Sequence, residues 1–263
     1  MRISKNILLK EIPFEARDCH ALELYLSEMA DKGWMLDEIW IFNIFKFKRC
    51  EPKNLRFAVD IPRLSDTCPD TSLQNYELLF NEYIEICESS GWKHIVEDSE
   101  YQIFCTEDIN VVDIQTDDSL KLDSLLKINS GYLIQMLSFF FLAMTWGKNN
   151  PTIESYSYGK LCMTIFYSSI TFFFCLNFLE DLLWKLSAKK SLKEGSIVKY
   201  PGLSSFKIKL LIQKYDSVAI IILLVGIFIL QNEKQIIYLI LAFSIGFITL
   251  TIMLLVNIIK NHS

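Results

Sequence analysis

The sequence predicts an α+β domain made of two β-α-β-β units, followed by an α-helical membrane domain of four probable spans. Two observations support this class. The chain is acidic and mixed in hydropathy up to about Lys127 and strongly apolar from Ile128 onward, and the first part repeats itself at a constant offset of 58 residues. Two helices on one face of a mostly antiparallel sheet would have ferredoxin-like character.

The repeat is clearest around two glycine-tryptophan pairs. The segment from Tyr25 to Trp34 recurs from Tyr83 to Trp92, with apolar residues at helical spacing in both copies. Each glycine lies where a helix end needs a left-handed residue, and each tryptophan would be the first residue to pack back on the sheet. The four residues of this structural motif are Gly33, Trp34, Gly91 and Trp92.

Each copy reads as strand, helix, strand, strand. In the first copy the predicted ranges are about 5–12, 17–32, 34–39 and 42–49; in the second they are 55–61, 73–90, 92–96 and 101–106. With the offset held constant, Phe45 and Phe47 fall opposite Ile103 and Cys105, at strand spacing. We therefore expect a cytosolic α+β domain over residues 1–112.

The copies differ at the tip of the predicted hairpin. The second copy turns through charged and polar residues, whereas the first has four large apolar residues, Ile39, Trp40, Ile41 and Phe42. Such a tip is not expected to face water. Either these residues belong to the core in another register, or they dock on a membrane, another subunit or a ligand.

The sequence contains few residues that could form a catalytic or metal-binding site. The seven cysteines contain no CxxC pair and the chain has three histidines, so we expect no metal, no cofactor and no enzyme activity. Residues 1–127 contain 14 Lys and Arg against 25 Asp and Glu, a net charge of −11. Because nucleic-acid binding needs a basic face, we also expect no nucleic-acid partner.

The apolar half predicts a multi-pass membrane protein. An acidic linker, 113–127, leads to candidate spans at about 128–146, 161–184, 217–231 and 236–259. The third candidate is short, and a re-entrant hairpin is its alternative. From Lys185 to Lys214, between the second and third candidates, eight lysines are opposed only by Glu194. Because cytoplasmic loops are rich in lysine and arginine, we expect both termini in the cytoplasm.

Polar residues within the predicted spans are few: Gln135, Asn177, Glu180 and Asp181. A carboxylate in hydrocarbon is costly and usually functional. The two carboxylates lie within about one turn of Trp184, so we favour an interfacial position over an ion or proton site. If the protein were a small carrier, these four residues would be the polar groups available to its transport path.

The first 110 residues resemble an uncharacterised bacterial family of membrane proteins, domain of unknown function 2812. The resemblance rests on Met29-Ala30-Asp31-Lys32-Gly33-Trp34-Met35-Leu36, on Phe45-Lys46-Phe47 with Pro52, on Leu55-Arg56-Phe57 ending in Asp60, and on Gly91-Trp92 with Phe104. It implies a domain placed before several membrane spans, in some members linked with transcriptional regulators of the PadR type. It implies no active-site residues, because the function of the family is unknown.

We therefore expect a membrane-anchored, non-enzymatic regulatory or sensory protein of the bacterial cell membrane. Its partners would be the lipid bilayer and either a protein, a small ligand or a second copy of the chain. The alternative is an accessory subunit of a membrane transporter or a small carrier. An enzyme acting at the membrane surface is a third class, which would need a polar cleft.

Overall fold

A computed structural model describes residues 6–12, 15–40, 43–62, 73–97, 101–114, 118–127, 132–148 and 158–212, with 245, 248, 251 and 252. The chain forms two compact units. Unit 1 comprises Met1–Asn129 and Ala188–Phe206, and unit 2 comprises Ser130–Ser187 and Lys207–Ser263.

The order strand, helix, strand, strand occurs twice in unit 1. The first copy contains β1 (Ile7–Glu11), a 3-10 turn (Ala16–Asp18), α1 (Cys19–Asp31), β2 (Trp34–Trp40) and β3 (Ile44–Arg49). The second copy contains β4 (Arg56–Asp60), α2 (Leu73–Ser89), β5 (Lys93–Glu97) and β6 (Gln102–Thr106), and α3 (Asp118–Lys127) follows.

The strands form two separate three-stranded antiparallel sheets, with the orders β1-β3-β2 and β4-β6-β5. The expected sandwich around one mostly antiparallel sheet, of ferredoxin-like character, is therefore wrong. The physical reason lies in the pairing within each copy. The third strand of each copy is hydrogen-bonded on both sides by strands of its own copy, so only outer strands keep an open edge.

The duplication extends to an irregularity in the ladders. The register shifts between Leu36 and Glu38 in the first copy, and between His94 and Val96 in the second. The two shifts are 58 residues apart, and each is the mark of a β-bulge. The second strand of both copies therefore bends at the same place.

The hairpin of the first copy is one residue longer than that of the second. Leu36 pairs with Phe47, and its counterpart His94 pairs with Phe104, so the offset between the copies falls from 58 to 57 after the turn. The alignment of Phe47 with Cys105 is therefore wrong by one residue. Asn43 takes up the extra residue with a φ of 55°, a left-handed conformation that asparagine tolerates in three-residue turns.

The two helix-ending glycines are left-handed, as predicted, with φ of 75° at Gly33 and 96° at Gly91. The tryptophans that follow them each carry a guanidinium over the ring. Arg49 lies 5.0 Å from the ring centroid of Trp34, and the buried Trp92 has its own arginine from β4. Each helix end is thus closed by a cation-π contact.

The core of unit 1 is completed by chain segments outside the two copies. Helix α3 buries Leu122 and Leu125, so the predicted linker over 113–127 contains a packed helix. Phe206 is 1% exposed, and its ring meets that of Tyr25 edge-on at 5.8 Å. Unit 1 is therefore not contiguous in sequence.

Unit 2 contains α4 (Tyr132–Lys148), most of α5 (Tyr158–Glu194) and part of a helix over 203–212. A small buried cluster of Phe173, Leu176 and Ile212 joins α5 to that helix. The ring of Phe139 on α4 stacks on that of Phe174 at 5.5 Å. Aromatic packing therefore holds the described helices of this unit together.

Within the described ranges, no helix combines the length and the apolar composition needed to cross a bilayer. Helix α4 has 17 residues, about 26 Å against a hydrocarbon core of about 30 Å. Helix α5 is longer, but it buries three polar side chains, Asn177, Glu180 and Asp181. This finding contradicts the expected transmembrane domain and its assignment to a bacterial cell membrane with both termini in the cytoplasm. Apart from four residues, the candidate spans 217–231 and 236–259 lie outside the described residues.

We predict that Gly33→Ala destabilises the protein by about 1–3 kcal/mol. An added Cβ would lie 2.7 Å from the backbone oxygen of Cys50, and the φ of 75° would strain any other residue. Chemical denaturation of the full chain measures the effect. Gly202→Ala is the matched control, because a Cβ there meets no atom within 4 Å. Equal stability of the two variants would contradict the prediction.

Candidate functional site

Unit 1 contains a cavity of about 260 Å³ between α1 and β4. Three parts of the chain line it. Helix α1 contributes His20, Glu23, Leu24 and Ser27, β4 contributes all its residues from Arg56 to Asp60, and the segment after β6 contributes Asp113, Ile114 and Lys121. Both copies of the repeat are therefore needed to form the cavity.

Helix α1 reaches the second copy because it is amphipathic. The face formed by Ala21, Leu22, Tyr25, Leu26 and Met29 is buried. Glu23 lies beside this face and accepts a hydrogen bond from the Val59 N–H at 2.9 Å through Oε1. A helix of the first copy is thus bonded to the edge of a strand in the second.

Strand β4 is the edge of its sheet, with β6 as its neighbour. In an antiparallel ladder, alternate residues direct their N–H and C=O groups to the same side. Since the Val59 N–H points at Glu23, the N–H and C=O of Phe57 and the C=O of Val59 point the same way. Phe57 and Val59 both line the cavity, so one wall is an open strand edge.

The carboxylate of Glu23 is the centre of charge at one end of the cavity. The Lys121 ammonium lies 3.6 Å from Oε1 and the His20 Nδ1 lies 3.4 Å from Oε2. The hydrogen bond with Glu23 raises the pKa of His20 above its usual value. Glu23 is therefore hydrogen-bonded to Val59 and His20, and Lys121 lies near it as a counter-charge.

Arg56 organises the other end. Its Nη1 donates to the Val111 carbonyl at 2.8 Å and its Nη2 bonds to Asp113. Its guanidinium also lies 5.3 Å from the ring centroid of Trp92. The segment after β6 is therefore bound to β4, and the Trp92 indole N–H strengthens this by donating to the Val112 carbonyl at 2.9 Å.

Asp60 is a buried carboxyl at the cavity wall, 4% exposed. Tyr83 on α2 donates its hydroxyl to Asp60 Oδ2 at 2.5 Å. Burial raises the pKa of Asp60 despite that hydrogen bond, and burial beside Asp60 raises the pKa of the Tyr83 hydroxyl. The cavity is thus connected to α2 through one short hydrogen bond.

The first copy has the same contact with the opposite charge. Lys10 pairs with Phe45 in its ladder and Asp60 pairs with Gln102. Because Phe45 and Gln102 are related by the offset of 57, Lys10 and Asp60 occupy equivalent positions in their sheets. Lys10 Nζ donates to the Tyr25 hydroxyl at 2.6 Å, and Tyr25 is the counterpart of Tyr83. Burial, followed by the charge of Lys32, lowers the pKa of Lys10.

The predicted apolar tip lies away from this cavity. Ile39 is half-buried, Trp40 is 44% exposed, and Ile41 and Phe42 lie outside the described residues. The Trp40 indole donates to Glu38 at 2.8 Å, and the Lys46 ammonium lies 5.8 Å from its ring centroid. A docking role for this tip stays a prediction.

The predicted polar residues of the apolar half all lie in unit 2. Gln135 is exposed on α4, whereas Asn177, Glu180 and Asp181 are buried on α5. Asn177 donates to the Phe173 carbonyl at 2.9 Å. Asp181 pairs with Lys185 at 3.1 Å. Among the residues that the structure describes, no group of three or more His, Cys, Asp or Glu side chains is arranged to hold a metal ion.

Sequence reasoning missed the residues that line the cavity. Asp60 carried a signal, because it is a carboxylate that directly follows three apolar strand residues, Phe57 to Val59. Glu23 and Lys121 carried none, since each looks like an ordinary charge on an exposed helix face.

Most of the duplicated unit matches a family model. Residues 18–137, somewhat less than half of the chain, match the model described as Protein of unknown function (DUF2812). The predicted resemblance to this domain of unknown function is therefore confirmed over that segment. The match includes every residue that lines the cavity. No curated protein and no solved structure matches the chain.

We predict that Glu23→Ala destabilises the protein by about 1–3 kcal/mol, because it leaves the Val59 amide without its acceptor. Glu23→Gln keeps a carbonyl oxygen for that amide and should cost less. Hydrogen exchange of the Val59 amide, with urea denaturation, measures both effects. Glu82→Ala on the exposed face of α2 is the control. Faster exchange in the Gln variant than in the Ala variant would contradict this assignment.

We predict that Asp60→Asn stabilises the protein at neutral pH. The pKa of Asp60 is raised in the folded state, so its contribution to stability is present in full below its unfolded pKa of about 3.9 and is lost as pH rises through the folded pKa. The gain should therefore shrink as pH falls toward 4. Unfolding free energies measured across this pH range test it, with the exposed Asp31→Asn as control. An Asn variant that is less stable at neutral pH would overturn the assignment.

Proposed function

We propose that unit 1 is a non-enzymatic regulatory or sensory module that binds a small polar ligand in the cavity between α1 and β4. The observation that supports this most is the composition of the cavity wall. Charged groups of both signs, held by hydrogen bonds, stand beside an open strand edge. Such a site offers fixed donors and acceptors to a ligand at little cost in ordering the protein.

The size of the cavity sets the size of the ligand. At about 260 Å³, it lies just below the range of about 300–1,000 Å³ that is typical of drug-sized ligands. A ligand of metabolite size therefore fits. Leu24, Phe57 and Ile114 supply apolar contacts, and the charged groups would fix the orientation.

The side chains around the cavity favour binding over catalysis. The Ser27 hydroxyl donates to the Glu23 main-chain carbonyl at 3.0 Å, so it is not activated by a base. Cys19 is buried, and burial raises the pKa of its thiol well above the usual value, which disfavours the thiolate. A nucleophile paired with a base is what covalent catalysis requires, and neither residue supplies one.

The hydrogen bond between Asp60 and Tyr83 connects the cavity wall to α2. A ligand that binds beside Asp60 changes the surroundings of a carboxyl whose hydrogen-bond donor lies on that helix. A differential interaction of this kind is what a regulatory response needs. Occupancy of the cavity would then alter how firmly α2 is held on its sheet.

A melting-temperature screen of the full chain tests the proposal, with amino acids, short peptides, organic acids, sugars and nucleosides as probes. A ligand that binds the folded state raises the melting temperature with its concentration. We expect one class to do so in the native chain and not in Ser27→Leu, which places a larger side chain in the cavity. Ser89→Leu on the exposed end of α2 should respond like the native chain. No response to any class, or an equal response in Ser27→Leu, would refute the proposal.

A further inference from the structure

On the open edge of β4, backbone hydrogen-bonding groups face the cavity without partners among the described residues. The Val59 N–H donates its hydrogen bond to the Glu23 carboxylate. For the Phe57 amide and carbonyl, which point to the same side, no hydrogen-bond partner is found among the described residues. Phe57 is nevertheless 4% exposed. A ligand that fills the cavity therefore displaces the water that these two groups would otherwise bind.

A peptide backbone satisfies both groups at once. In a strand added parallel to β4, the residue before the one opposite Phe57 accepts from the Phe57 N–H, and the residue after it donates to the Phe57 carbonyl. Addition of an extended peptide to an exposed edge strand is a recurrent mode of recognition. A ligand without both a carbonyl and an N–H at this spacing would leave at least one of the two groups unpaired.

The ends of the edge limit how long the peptide can be. At Val59, the Glu23 carboxylate already occupies the next outward amide and stops the ladder. At Arg56, the bonds to Val111 and Asp113 close the other end. From Phe57 to Val59 the strand advances only about 7 Å, and 260 Å³ corresponds to about nine water volumes. A strand of three residues spans this distance and fits.

The charges at the two ends match the termini of such a peptide. The Lys121 ammonium is 3.6 Å from Glu23 Oε1, longer than a hydrogen bond, so it keeps donors for a carboxylate. At the opposite end, the Asp113 side chain is 64% exposed, and the carboxylate oxygen that does not bond to Arg56 can accept from an ammonium.

We infer that the cavity binds a tripeptide with free termini, in an extended conformation parallel to β4. Its backbone extends the β4-β6-β5 sheet by one short strand, and its carboxylate lies against Lys121. This inference rests on the proposed function, because it names the ligand class of the same cavity.

Titration of the full chain with alanyl-alanine and trialanine, followed by calorimetry and by NMR of the Phe57 amide, tests the inference. We expect trialanine to bind, with a shift of the Phe57 resonance, and alanyl-alanine, which cannot pair with both Phe57 groups, to bind less tightly. Cyclic dialanine, which has no termini and cannot extend, should not bind. Lys121→Gln should weaken binding by about tenfold, the effect of losing one charge-assisted hydrogen bond, but should leave binding of the peptide C-terminal amide unchanged. Lys93→Gln, at an exposed position on β5, should leave both affinities unchanged.

The possible failures separate the inference from the proposed function. If trialanine does not bind and another class of probe stabilises the native chain but not Ser27→Leu, the peptide inference is wrong and the cavity is still a ligand site. If no probe binds, both are wrong. If trialanine binds equally well to the native chain, Lys121→Gln and Ser27→Leu, it binds elsewhere and the inference is overturned.

Discussion

The hydrogen bond from the Val59 amide to the Glu23 carboxylate holds the two copies of unit 1 together at the place where the cavity forms. An edge strand needs a cover for its outward amides, and here a charged side chain of the neighbouring copy provides it. The same carboxylate attracts Lys121 and so positions α3. Glu23 is thus a group that α1, β4 and α3 share at the cavity.

The duplication preserved geometry more strictly than chemistry. Left-handed glycines, β-bulges and a tyrosine that bonds to the first strand recur in both copies, because each is needed to form a three-stranded sheet under a helix. The partner of that tyrosine is a lysine in the first copy and an aspartate in the second. Asp60 lines the cavity whereas Lys10 does not, so the equivalent contacts of the two copies differ in charge and in their relation to the cavity.

The repeat was predictable because its signals are local in sequence. The sheets and the cavity were not, because they depend on contacts between residues far apart in sequence. Gly33 and Trp34 mark a helix end from neighbouring residues alone. The split into two sheets depends on which strand edges meet, and the cavity depends on Glu23 meeting Val59 and Lys121, residues far apart in sequence. The apolar half shows another limit. Hydropathy alone does not tell whether an apolar helix contacts lipid or protein. In the structure α5 buries Asn177, Glu180 and Asp181, and composition alone did not distinguish these buried positions from interfacial ones.

The contact between Tyr25 and Phe206 has a consequence for synthesis. The two residues are 181 positions apart, an interval of roughly 10 to 40 s at typical elongation rates. During that time the first helix can already pack on its own sheet, with Lys10 bonded to Tyr25, but one side of the tyrosine ring awaits its aromatic neighbour. The nascent domain thus passes through a nearly complete state in which the face of Tyr25 that contacts Phe206 in the folded protein is still uncovered.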